Sequence, residues 1–363
     1  MVLRLLHASL VVISLAVMVE SSKATTVTIH TEDARATLKA MQDHSLTKEE
    51  AIKIATMHGN QAVIRKLQEF KIPATAQTFA DALYSAAHDQ AARGQAEQAI
   101  GLDHIKPKIA SLVALLDQIQ ANPRDFEQPI EQRIAMFTPS NANIRLDGYV
   151  VASGDGGGYA FGDTDFFLNI GIVDDLVVAK STTVHEMYHA IQGFYASDRE
   201  SKINPPGGSS RTSCLNVEHL FGNLYEEGSA RYVEDFALMS QSHSLAAKQI
   251  LSDIEDGISH VEAGATLLDM SVVSLTARQP LPYDDVYAVG FLGHGSLYGI
   301  GYVMAKAIVD SEGYAGLTAS LHQPPHMFVL RYIQLPRYGA DKDRPSLGPN
   351  AIEAAHRLEH LCK

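Results

Sequence analysis

A chain of 363 residues, 46% hydrophobic and 20% charged with 26 glycines and 14 prolines, has the balance of a soluble globular protein, which excludes disordered, collagen-like and coiled-coil chains. Asp and Glu number 42 against 29 Lys and Arg, and the formal charge of −13 with no basic run argues against a face for nucleic acid or anionic membrane. Two cysteines are too few for a disulfide scaffold or a cysteine-only zinc knuckle.

The chain opens on a targeting segment. Arg4 supplies a positive charge, residues 5–19 are apolar apart from His7, Ser9 and Ser14, and Ser22 and Ala24 place small residues at the −3 and −1 positions of a signal-peptidase site. The apolar run falls short of the roughly 20 residues that span a bilayer. Residues 1–24 are therefore expected to be a signal peptide, with export to the periplasm or the extracellular space. Such a compartment would permit a Cys214–Cys362 disulfide, or leave two thiols.

After a strand-like stretch at residues 26–30, the chain to about Phe137 reads as helices. Apolar residues recur at helical spacing over residues 49–70, 76–92 and 105–119. Asn122-Pro123 and Thr138-Pro139 are breakers. Residues 25–140 are expected to form an N-terminal helical subdomain that carries no chemistry. Residues 149–152 and 165–170 then have strand composition. The glycines at 154 and 156–158 between them read as a hairpin loop, because strand-like sequence and not a helix follows, as a phosphate cradle would need. From Asp174 the chain is helical almost to its end. Helices, then strands, then helices predict an α+β fold, with residues 141–363 as the second unit.

That unit contains His185-Glu186-Met187-Tyr188-His189, an H-E-x-x-H sequence. Asp174 and Asp175 give an acidic helix start, and only Gly193 interrupts the helix-forming residues to Tyr195. At ~100° per residue Val184, Met187, Ile191 and Phe194 share one face, and the two histidines lie roughly opposite. Imidazoles at i and i+4 sit one turn apart and can reach the same cation, zinc being the ion that favours such donors. Glu186 lies to one side, where it can take a proton from water and return it to a leaving amine. The competing reading is a pair of surface histidines with a chance glutamate between them. A serine nucleophile is disfavoured, because His294 and Tyr298 occupy the glycine positions of G-x-S-x-G around Ser296.

Downstream, Glu226-Glu227-Gly228-Ser229-Ala230-Arg231-Tyr232-Val233-Glu234 resembles the E-G-x-A-x-Y-x-E signature of gluzincin peptidases of the aminopeptidase N type. The resemblance implies a zinc cofactor held by His185, His189 and Glu227, with Glu226 as the rival ligand. Glu234, seven residues beyond Glu227, is then placed to orient a ligating imidazole. Tyr298-Gly299-Ile300-Gly301 matches the clan's Y-x-x-G setting. This implies that Tyr298 donates to the developing oxyanion, with Tyr287, Tyr302 and His294 as alternatives. Over its whole length the chain resembles uncharacterised bacterial families described only as zinc-dependent peptidases.

The fold so implied is zincin-like: mainly helical, with a small mixed sheet and an active-site helix. The substrate implied is a peptide or protein. No G-x-M-E-N sequence is present to capture a free α-amine, so endopeptidase action is expected over aminopeptidase action. The clan also sets an edge strand beside the metal, where substrate adds as a further strand, and residues 158–170 are expected to supply it. The alternative from another class is a non-catalytic exported binding protein on the same fold.

Overall fold

The computed structural model describes residues 25–199, 209–292 and 295–360. The expected signal peptide, Cys362 of the permitted disulfide, and His294 all lie outside the described residues.

Strand β1 (Thr26–His30) leads into eight helices: α1 (Glu32–Ala40), α2 (Lys48–Ala55), α3 (His58–Glu69), α4 (Ala76–Ala87), α5 (Gln95–Ile100), α6 (Leu102–Ile105), α7 (Ile109–Ala121) and α8 (Pro123–Ala135). The helix expected over residues 49–70 is two helices, α2 and α3. Thr47 and Glu50 form a capping box that starts α2. Its end is held by side chains of the next helix: Asn60 Nδ2 donates to the Ile54 carbonyl at 2.9 Å and Gln61 Nε2 to that of Ala55 at 2.6 Å. Two carbonyls that a continuous helix would satisfy internally are satisfied across the break instead.

Strands β2 (Arg145–Val151), β3 (Gly158–Ala160) and β4 (Asp165–Asn169) complete a sheet of order β1-β2-β4-β3. The first three in that order run parallel, and β3 is antiparallel to β4. The glycine segment is therefore not a hairpin loop. Parallel neighbours cannot be joined by a tight turn, so the chain passes from β2 across to the far side of β4, forms β3, and turns back into β4. Asn169 pins this crossing, its Nδ2 donating to the carbonyls of Gly154 at 3.1 Å and Gly156 at 2.9 Å. Of the segment expected to supply an edge strand, only β3 lies at the edge.

The rest is helical: α9 (Leu176–Phe194), α10 (Ala196–Arg199), α11 (Ser209–Val233), α12 (Phe236–Met239), α13 (Leu245–Ser259), α14 (Val261–Thr276), α15 (Tyr283–Phe291), α16 (Ser296–Glu312) and further helices to residue 360. The fold is thus α+β, mostly helical around one small mixed sheet. No helix among the described residues is long and apolar enough to cross a membrane.

Helix α9 starts at Asp175, whose side chain accepts from the Val178 amide at 2.8 Å. It packs on β3 and β4 on one side and on α8 and α11 on the other. Val184, Met187 and Ile191 are buried as the periodicity predicts, each contributing about 1.5–3 kcal/mol. Phe194, at the helix end, is exposed. The histidine face is enclosed too: His185 and Glu186 are 8% and 6% exposed, so that face forms the floor of a cleft.

Candidate metal centre

Three donor atoms converge where α9 meets α11. His185 Nε2 and His189 Nε2 are 3.1 Å apart. Glu227 Oε2 lies 3.4 Å from the second and 3.8 Å from the first. Among the described residues this is the one group of three or more His, Cys, Asp or Glu side chains that could hold a metal ion. Bond lengths of ~2.0–2.2 Å in a tetrahedron require donor separations near ~3.3 Å, so the triangle fits zinc, as does its two-nitrogen, one-oxygen chemistry.

The electrostatics of the metal-free site point the same way. Burial alone would lower the His189 pKa, but the Glu227 carboxylate outweighs it and holds the imidazole up at about 9. Burial would likewise raise Glu227, and the facing His189 charge outweighs that, holding the carboxyl down at about 2.

The donor side chains are oriented from behind. His185 Nδ1 sits 3.5 Å from Glu234 Oε2. Glu234, just beyond the end of α11, is held in turn by Arg231 Nη1 at 2.7 Å. His189 Nδ1 meets Gln192 Oε1 at 2.8 Å, and the Gln192 amide donates to Ser229 Oγ at 2.9 Å and the Glu226 carbonyl at 3.1 Å. Gln192 was not singled out from the sequence, although its position three residues past His189 on the same helix face was a usable signal. Glu226 lines the cleft too, but its Oε1 accepts from Arg199 Nη2 at 2.6 Å. That pairing separates the two candidate glutamates.

Glu186 lines the same cleft, whose volume is about 380 Å³. Burial pushes its carboxyl pKa up, the two histidines opposing this. Gly158 of the edge strand lies flat against it: a Cβ there would stand 2.5 Å from Glu186 Cγ. Next to Gly158, Tyr159 is buried with its hydroxyl lacking a hydrogen-bond partner. Lys66 and Phe70 at the end of α3 form another wall, so the N-terminal helices, expected to carry no chemistry, reach the site.

Tyr298 projects from the first turn of α16 into hydrogen-bonding reach of Glu227. Burial holds its phenol pKa well above the usual value, so it stays a proton donor. Of its alternatives, Tyr287 also borders the cleft, whereas Tyr302 borders a separate cavity beyond Tyr298.

A mainly helical fold that brings two imidazoles and a carboxylate together on a cleft floor, beside a buried glutamate, is the arrangement of a metal-dependent hydrolase. The chain belongs to the family described as "Putative zinc dependent peptidase (DUF5700)", whose model matches residues 52–339. No curated protein and no solved structure matches it. The family carries zinc dependence and a peptide or protein substrate.

Proposed function

We propose that the protein is an exported zinc endopeptidase of the gluzincin type, in which His185, His189 and Glu227 hold the ion. The observation that carries this reading is the convergence of those three donors beside Glu186. Bound there, zinc would supply Lewis acidity, polarising the scissile carbonyl and acidifying water.

The chain's own groups account for the remaining work. Glu186 takes the proton from the attacking water and delivers it to the leaving amine; its raised pKa suits a group that must both accept and donate. Tyr298 donates its hydroxyl proton as a hydrogen bond to the carbonyl oxygen as charge develops there. Glu234 and Gln192 fix the two imidazoles. The unpaired side of β3 offers backbone groups to an extended substrate, and Gly158 lets that backbone pass close over Glu186. Export through residues 1–24 belongs to the same proposal, and the N-terminal sequence of the mature protein checks it.

The test is Glu186→Gln. The variant is expected to retain stoichiometric zinc and lose cleavage of a peptide library that the parent cuts in a chelator-sensitive way. Cleavage at the parent rate refutes the assigned role of Glu186. A parent protein without zinc or cleavage points to the non-catalytic binding protein instead.

A further inference from the structure

On the far side of Tyr298 from the metal centre lies a second cavity of about 220 Å³, lined among others by Arg231, Asp253, Ile254, Gly295 and Tyr302. Tyr298 borders both spaces, so an occupant of one stands a single side chain from an occupant of the other.

Two independent features of the cavity suit an anion. The first is Arg231 of α11, whose side chain is 29% exposed. A guanidinium has five N–H donors in a fixed fork. Nη1 donates to Glu234, the Tyr298 ring lies 5.6 Å from the guanidinium carbon, and the donors that Glu234 does not take can pair a carboxylate from the cavity that Arg231 lines. The second is the start of α16. This 17-residue helix begins at Gly295, whose φ is 57° and which has no side chain to cap the first turn. Gly295 and Tyr298 of this first turn border the cavity, so the positive end of the helix lies beside it. The opposing charge, Asp253, is exposed at the rim and accepts from Gln249 Nε2 at 2.8 Å.

The cavity's place along the substrate follows from chain geometry. Arg231 is one helical turn past Glu227, about 6 Å along the axis. A peptide advances at most ~3.3–3.6 Å per residue. In an extended peptide a group held by Arg231 therefore belongs to a residue at least about two positions from the bond at the metal centre.

We infer that this cavity is a carboxylate-binding subsite, in which Arg231 and the first turn of α16 take a substrate carboxylate close to the scissile bond. The carboxylate is either an acidic side chain or the free C-terminus of the peptide. The inference rests on the peptidase reading of the cleft and adds a substrate class to it.

The experiment uses the zinc-loaded mature protein and matched peptides. One arm exchanges Glu for Gln at each of the positions flanking the cleaved bond; the other compares free-acid with amide C-termini. At least one carboxylate-bearing peptide is expected to show kcat/KM higher than its neutral twin by about tenfold or more, and the arm in which this occurs identifies the source. Arg231→Gln is expected to erase the difference. Because Arg231 also holds Glu234, zinc content is measured alongside, and a second variant reads the cavity without touching that contact. Asp253→Asn is expected to increase the preference by about twofold. In Glu186→Gln, calorimetry is expected to give a Kd for the carboxylate-bearing peptide about tenfold below that of its twin.

Neutral peptides cleaved with every pair equal would overturn the subsite and leave the peptidase standing. Absence of all cleavage would instead fail the peptidase reading. The calorimetric pair then decides the cavity: a tighter carboxylate supports it, and equal affinities overturn it.

Discussion

Gly228 of α11 and Gly301 of α16 touch backbone to backbone: a Cβ on Gly228 would lie 2.3 Å from the carbonyl carbon of Gly301. Gly228 directly follows Glu227, and Gly301 lies one turn after Tyr298. The glycines of the two downstream motifs are thus each other's contact, and their close crossing sets the Tyr298 phenol against the Glu227 carboxylate.

Gly228→Ala and Gly301→Ala are each expected to force the helices apart. Overpacking at a backbone contact should cost about 1–3 kcal/mol, read by denaturant unfolding of the metal-free protein. Peptide turnover should fall as well, because Tyr298 moves with α16. An unchanged midpoint and unchanged turnover would contradict the role of the crossing.

Tyr298→Phe tests that role without disturbing the helices. Zinc content is expected to stay at the parent level while kcat falls by about 10²–10³, the loss typical of one oxyanion donor. A variant with parental kcat would hand the role to Tyr287, which borders the same cleft.

Zinc binding is expected to release a proton at pH 7. His189, held up at about 9 by Glu227, is protonated in the metal-free site, and a ligating imidazole must be neutral. Glu227, held down at about 2, is already ionised and releases none. Zinc affinity should therefore rise by about tenfold per pH unit and level off above about 9. For the metal-free fold the same shift has the opposite sign. The His189–Glu227 pair stabilises fully between the ordinary values of 4.5 and 6.5 for its two groups, and that stability is lost as pH rises through about 9 or falls to about 2. Calorimetry in buffers of different protonation enthalpy counts the proton, and a count of zero contradicts the ion-paired site.

Gln192→Leu removes the amide oxygen that meets His189 Nδ1. Zinc affinity is expected to fall about 10–100-fold, as is common for groups that orient a ligand. Glu234→Gln should act similarly through His185. Competition against a chromogenic chelator measures both.

What could be read from the sequence was local. His185, Glu186 and His189 follow one helical period, and Glu227 was named by the pattern around it. The fold class came from the order of compositions along the chain. The approach of α9 to α11 is tertiary, and nothing in the spacing of His189 and Glu227 encodes a 3.4 Å contact. The strand order was hidden for a related reason. Residues 154–158 look like a hairpin loop until β3 is seen to lie beyond β4, which is also what brings Gly158 onto Glu186. Gly228 and Gly301 were visible as motif letters, but their mutual contact was not. The pairing of Glu226 with Arg199, a residue that no motif contains, was not visible either.

The central claim is that His185, His189 and Glu227 hold one zinc ion. Anomalous diffraction at the zinc edge from zinc-loaded crystals tests it most directly. The expected result is a single strong peak bonded to both Nε2 atoms and to a Glu227 carboxylate oxygen at about 2.0–2.2 Å. A peak bonded to other side chains, or no peak at saturating zinc, would contradict it.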